Sequence, residues 1–134
     1  MEGKKKYLSL GEAESLLPEI RKSLLRMIEI NNALKLSREV LVRYDDQFED
    51  FHREIATNEK YFELNNILFK ELHKMFHMGC IVKDLSIGLV DFYSKYKGRE
   101  ILLCWKFGEE RINYWHDIDK GFSSRMHISM LNEI

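Results

Sequence analysis

Four short apolar runs crowd into residues 80–117: Cys80 to Asp84, Gly88 to Tyr93, Ile101 to Phe107 and Ile112 to Asp117. Parallel strands need crossovers of about a dozen residues or more, so runs this close must pair as antiparallel hairpins. Lys97-Gly98 and Gly108-Glu109 supply turn residues between the last three. No comparable arrangement of short runs precedes residue 79, where the pattern is helical. The expected class is α+β, a long antiparallel helical hairpin over 8–78 packed with a small antiparallel β-meander and a C-terminal loop over 80–134. At 134 residues the chain is expected to be a single domain with one real core.

The hairpins sort the side chains by face. With Lys97-Gly98 as a two-residue turn, Tyr96 opposes Arg99 and Asp91 opposes Cys104. With Gly108 to Arg111 as the next loop, Phe107 opposes Ile112 and Cys104 opposes Trp115. One face then carries Val90, Phe92, Ile101, Leu103, Trp105, Phe107, Ile112, Tyr114 and His116, almost wholly apolar and expected to meet the helices. The other carries Leu89, Asp91, Tyr93, Leu102, Cys104, Lys106, Asn113, Trp115 and Asp117. A one-residue slip exchanges the two sets.

The first half opens with a capping box, Ser9 to Glu12, so a helix begins near Leu10. The sole proline, Pro18, has two readings: a short helix ends near Leu17 and a long one starts at Pro18, or one helix kinks there. Leu17, Ile20, Leu24, Met27, Asn31 and Leu34 alternate threes and fours, a heptad seam with one polar member. Beyond it Leu41 and Phe48 keep the pattern while Arg38 and Asp45 break it. A turn is expected between Ala56 and Glu59, at Thr57-Asn58. The second helix then runs to about Met78 and carries two stripes. Tyr61, Leu64, Leu68, Leu72 and Met75 form one; Phe51, Ile55, Phe62, Phe69 and Phe76 form the other. Gly79 is placed as its C-terminal cap.

Composition narrows the function classes. A net charge of −1 gives no global basic field, so no nucleic-acid partner is expected. Lys4, Lys5 and Lys6 read as a solvated end. Cys80 and Cys104 sit in apolar contexts, as buried thiols of a reducing, cytoplasmic setting do. No apolar run approaches membrane-spanning length and no signal peptide is expected, so no membrane partner is.

Several stretches of the sequence resemble a known family. They are Glu-Ala-Glu-Ser-Leu-Leu-Pro-Glu-Ile-Arg from Glu12, Gly-Cys-Ile-Val-Lys-Asp from Gly79, Gly-Leu-Val-Asp-Phe from Gly88 and Gly-Arg-Glu from Gly98. Leu-Cys-Trp-Lys-Phe-Gly-Glu from Leu103, Tyr-Trp-His-Asp from Tyr114, and Gly121-Phe122 with Arg125 complete the set. Together they resemble a small prokaryotic family classed as a domain of unknown function, in which a helical hairpin is joined to these motifs. That family tends to have a glycine-containing break between its helices, for which Thr57-Asn58 is the nearest equivalent here. The resemblance implies a bacterial or archaeal cytosolic protein and brings no activity, substrate or cofactor.

Candidate chemistry is sparse. His116, Asp117 and Asp119 suggest a metal, but adjacent strand residues face opposite ways and cannot chelate together. His73 and His77, an i, i+4 pair, read as a surface pair. Cys104 and His116 lie on opposite faces in this register, which leaves Cys104 a structural thiol. No phosphate-cradling motif is present. The better constellation is the non-core face, where Asp91 and Lys106 are diagonal neighbours. Asp91, Lys106, Trp115, Asp117 and Arg125 are expected to line one cleft, with Glu109 and His116 at its margins. No metal or cofactor is expected. The expected role is a non-catalytic interaction or assembly module that forms a homodimer through its helices. The alternative is a protein that binds a small polar or anionic metabolite, or an enzyme, on the charged, Trp-bearing sheet face.

Overall fold

The computed structural model describes the backbone over residues 4–43 and 49–131 and the side chains over 4–36 and 59–131. Ser9 starts the first helix as a reciprocal capping box. The Glu12 N–H donates to Ser9 Oγ at 3.1 Å and the Ser9 N–H donates to Glu12 Oε1 at 3.0 Å. Helix α1 then runs Leu10–Arg43 as one element, with Pro18 inside it. An internal proline costs about 3 kcal/mol. Leu17, Ile20, Leu24 and Met27 flank it, each 3% exposed or less. Burying such side chains contributes about 1.5–3 kcal/mol apiece, which outweighs the break.

Helix α2 spans Glu49–Met78. The turn expected between Ala56 and Glu59 is not there: Thr57 and Asn58 lie inside α2. Each costs less than about 0.7 kcal/mol relative to alanine in a helix, too little to end one. Residues 44–48 lie between the helices and outside the described residues, as do the expected seam positions Asp45 and Phe48. The side chains of Arg38, Leu41, Phe51 and Ile55 also lie outside them.

The helices meet through paired positions that run in opposite order along the two. Lys74 Nζ lies 3.7 Å from Glu19, Ser23 Oγ donates to Glu71 Oε1 at 3.0 Å, and Arg26 reaches the same carboxylate at 3.1 Å. The seam of α1 is spent inside the chain: Leu17, Ile20, Leu24 and Met27 belong to the core shared with the sheet. On α2, Met75 is buried and Leu68 and Leu72 pack against that core. Phe62 and Phe69, on the other stripe, remain 70% and 62% exposed. Gly79 ends α2 with φ +97° and donates to the Phe76 carbonyl at 3.0 Å.

Among the described residues the sheet has five strands, one more than the sequence suggests: β1 (Cys80–Asp84), β2 (Leu89–Tyr96), β3 (Arg99–Lys106), β4 (Tyr114–Asp117) and β5 (Met126–His127). Their spatial order follows the chain order and the pairing is antiparallel throughout. Lys97 and Gly98 turn with φ of 50° and 79°, both positive as a two-residue hairpin turn requires. The β2–β3 register has Tyr96 opposite Arg99 and Asp91 opposite Cys104, as the hairpin dictates.

The β3–β4 register does not follow the expectation. Cys104 opposes Tyr114 and Leu103 opposes Trp115, a slip of one residue. The cause is the connection over 107–113. It begins with a tight turn, in which the Glu109 N–H donates to the Lys106 carbonyl at 3.0 Å. It is then pulled toward α1: Glu14 accepts from the Ile112 N–H at 3.3 Å and holds Arg111 at 3.2 Å. Ile112 is fully buried without entering the strand, so β4 starts two residues later. Every β4 side chain therefore faces opposite to the expected way. Trp115 joins the core with Val90, Phe92, Ile101, Leu103 and Trp105, Tyr114 and His116 leave it, and Phe107 is 38% exposed. Among the described residues, no helix is long and apolar enough to cross a membrane.

Candidate functional site

The slip reorganises the face turned away from the helices. Asp91 on β2, Cys104 on β3 and His116 on β4 now share it, because Asp91 opposes Cys104 and His116 opposes Leu102, two residues from Cys104 on the same side. The expectation that Cys104 and His116 occupy opposite faces is corrected. One carboxylate oxygen, the Cys104 sulfur and one His116 ring nitrogen all lie within 4.8 Å of one another. All three residues are buried, at 2%, 0% and 2% exposure.

His116 Nε2 lies 3.2 Å from both Asp91 oxygens, and Nδ1 is 2.9 Å from the Asp117 backbone carbonyl. A carbonyl only accepts, so Nδ1 carries a proton and Nε2 is the nitrogen turned on Asp91. The Asp91 carboxylate, with Cys104 and the Asp117 carbonyl adding to it, pushes the imidazole up to about 10 despite the desolvation that opposes this. Cys80 differs: burial pushes its thiol up, with Asp91 adding to the effect, as for an inert core thiol.

The C-terminal segment closes over this centre. The Arg125 guanidinium stacks on Tyr114 at 3.8 Å and on Phe122 at 4.5 Å, and Nη1 lies 3.9 Å from Cys104 Sγ. Glu109 fixes it with a forked pair at 2.7 and 3.2 Å. Glu109 Oε1 also accepts from the Lys106 N–H at 2.8 Å, which ties the segment to the β3–β4 turn. Lys106 Nζ lies 5.9 Å from the Phe122 ring.

Of the seven residues singled out from sequence, Asp91, Lys106, Glu109, His116 and Arg125 gather on this side. Trp115 and Asp117 do not. Trp115 sits in the helix-facing core, with its indole N–H buried and without a hydrogen-bond partner. Asp117 pairs with Arg99 at 3.6 Å, and Arg99 lies 5.8 Å from the Trp115 ring. Cys104, dismissed from sequence as structural, belongs with the first group; its place opposite Asp91 was the available signal. Asp91, Cys104 and His116 on this face are closed to solvent. Open grooves run instead between α1 and the 107–113 connection, lined by Arg21, Glu109, Glu110 and Arg111 among others. There Arg21 already donates to the Glu110 carbonyl at 2.7 Å and Arg111 is held by Glu14.

Fold and centre define an α+β protein whose antiparallel meander carries a buried carboxylate, thiol and imidazole under an arginine latch. The chain belongs to an uncharacterized conserved protein family, DUF2203, whose model matches residues 6–128 and so takes in the whole of this centre. Comparison with curated proteins and with solved structures returns no match.

Proposed function

We propose that the protein is an interaction module that assembles with a second copy of itself along α2. The observation that carries this reading is the exposure of Phe62 and Phe69, at 70% and 62%, one heptad apart on one side of that helix. Large aromatics left in water on a single stripe mark a contact surface. The charges on α2 favour a copy of the same chain. Its first half carries Glu49, Asp50, Glu54, Glu59 and Glu63 against Arg53 and Lys60, while its second carries Lys70 and Lys74 against Glu71. Two copies laid antiparallel set the acidic half of one beside Lys70 of the other, a self-complementary two-fold interface. Leu17, Ile20, Leu24 and Met27 of the α1 seam are occupied by the chain's own core.

In this reading residues 1–134 form one domain, α1 and α2 form an antiparallel hairpin, and the setting is the cytosol, in keeping with two unpaired, buried cysteines. The two-fold axis falls near the middle of α2. Asn66, exposed between Phe62 and Phe69, is placed beside its counterpart there. An Asn66→Cys variant is expected to oxidise to a cross-linked dimer, whereas Lys120→Cys, also exposed, stays monomeric. Equal cross-linking at both positions, or none at residue 66, contradicts the reading.

A second reading, binding of a small polar or anionic metabolite on the outer sheet face, draws on Lys106. It makes no ion pair among the described residues and lies beside the Arg125–Glu109 pair. Isothermal titration with phosphate and with small carboxylates tests it: saturable heat that is lost in Lys106→Ala supports it, and no heat in the parent protein removes it.

A further inference from the structure

We propose that Asp91, Cys104 and His116 bind a divalent metal ion of the zinc class, a site independent of assembly along α2. The donor set is one carboxylate oxygen, one sulfur and one imidazole nitrogen, brought together from three adjacent strands. Imidazole and thiolate with a single carboxylate suit zinc, and three protein ligands with a fourth position for water match its tetrahedral habit.

The distances are close to those needed. Bonds of about 2.0–2.3 Å at tetrahedral angles set neighbouring donor atoms about 3.3–3.7 Å apart. His116 Nε2 and the Asp91 oxygens are already at 3.2 Å, and the Cys104 sulfur lies within 4.8 Å of both partners. A movement of about 1 Å by the thiol side chain completes the set.

The surroundings match as well. Ligating histidines almost always donate their other ring N–H to a carbonyl or carboxylate, which fixes the tautomer and aims the ring. The contact of His116 Nδ1 with the Asp117 carbonyl at 2.9 Å does this and leaves Nε2 for the ion. Thiolate and imidazole ligands hold a metal in their deprotonated forms, so binding releases protons. A divalent ion then balances the Asp91 carboxylate and the Cys104 thiolate. Arg125, already neutralised by Glu109 at 2.7 Å, is in place to donate a hydrogen bond to the metal-bound sulfur. Phe122, in the segment that Arg125 latches, is 38% exposed.

Cobalt(II) added to the chelator-stripped full chain tests the site. The expected result is a thiolate-to-cobalt charge-transfer band with intense tetrahedral d–d absorption, saturating at one ion per chain and abolished by added zinc. Cys104→Ser is expected to lose the charge-transfer band, and Asp91→Asn to weaken binding at least about tenfold. The paired change His73→Ala and His77→Ala, which removes the half-buried His73 and the exposed His77 of α2, is expected to leave the spectrum unchanged. Absence of the band from the parent protein overturns the proposal without reference to any variant. So does a band that survives Cys104→Ser in protein of unchanged circular dichroism, or binding that disappears with His73 and His77.

Discussion

His116 Nε2 stands 3.2 Å from both carboxylate oxygens of Asp91, and the two side chains are 2% and 3% exposed. A buried pair of this kind is weak as a net source of stability, because desolvation offsets the attraction, but removing one member strands the other. Asp91→Ala is therefore expected to cost about 3–5 kcal/mol. Joint replacement by apolar residues of similar volume, such as Asp91→Leu with His116→Phe, is expected to cost far less than Asp91→Ala. Urea unfolding of the variants measures both, and a double replacement as damaging as Asp91→Ala would sink the paired-charge description.

The same pair sets a pH dependence in the metal-free protein. The folded imidazole is raised from 6.5 to about 10, chiefly by Asp91. The folded state holds the proton more tightly than the unfolded chain, so the stabilisation is complete below about pH 6.5 and is lost as pH rises through about 10. Unfolding free energy is expected to fall from neutral pH toward pH 10 and to lose most of that slope in His116→Gln. A profile identical in the two proteins across this window contradicts the pairing.

Arg125 latches the C-terminal segment over Cys104 through Glu109, both side chains being largely buried at 16% and 22% exposure. Loss of a forked, partly buried pair is worth about 1–2 kcal/mol locally. Arg125→Ala is expected to speed labelling of Cys104 by a thiol reagent about 5–30-fold through easier local opening, with little change in the global unfolding midpoint. Unchanged labelling would show that Arg125 is not what covers the thiol.

How far the sequence carried the account depends on whether each relation is local. The Ser9–Glu12 cap, the Gly79 stop and the Lys97-Gly98 turn are built from neighbours, and the β2–β3 register followed from that turn. So did the core assignment of Val90, Phe92, Leu103 and Trp105 and the placing of Asp91 opposite Cys104. The β3–β4 connection is different. The Ile112 N–H donates to Glu14 on α1, ninety-eight residues away in sequence, which keeps Ile112 out of the strand, and no local pattern announces that. The slip moves β4 by one residue, which is enough to bring His116 to the face of Cys104 and to take Trp115 and Asp117 off it. Thr57-Asn58 fails to end α2 for a simpler reason: turn-favouring residues without glycine or proline do not stop a helix that is otherwise well formed.

The central claim is that the exposed aromatic stripe of α2 is where two copies meet, and sedimentation equilibrium tests it most directly. The parent protein at micromolar concentration is expected to show twice the chain mass of 16.1 kDa. Phe62→Glu combined with Phe69→Glu is expected to show the single-chain mass while unfolding at the same urea concentration under monomeric conditions, since neither side chain is part of the core. A parent protein that sediments as a monomer, or a charged double variant that remains a dimer, contradicts the account.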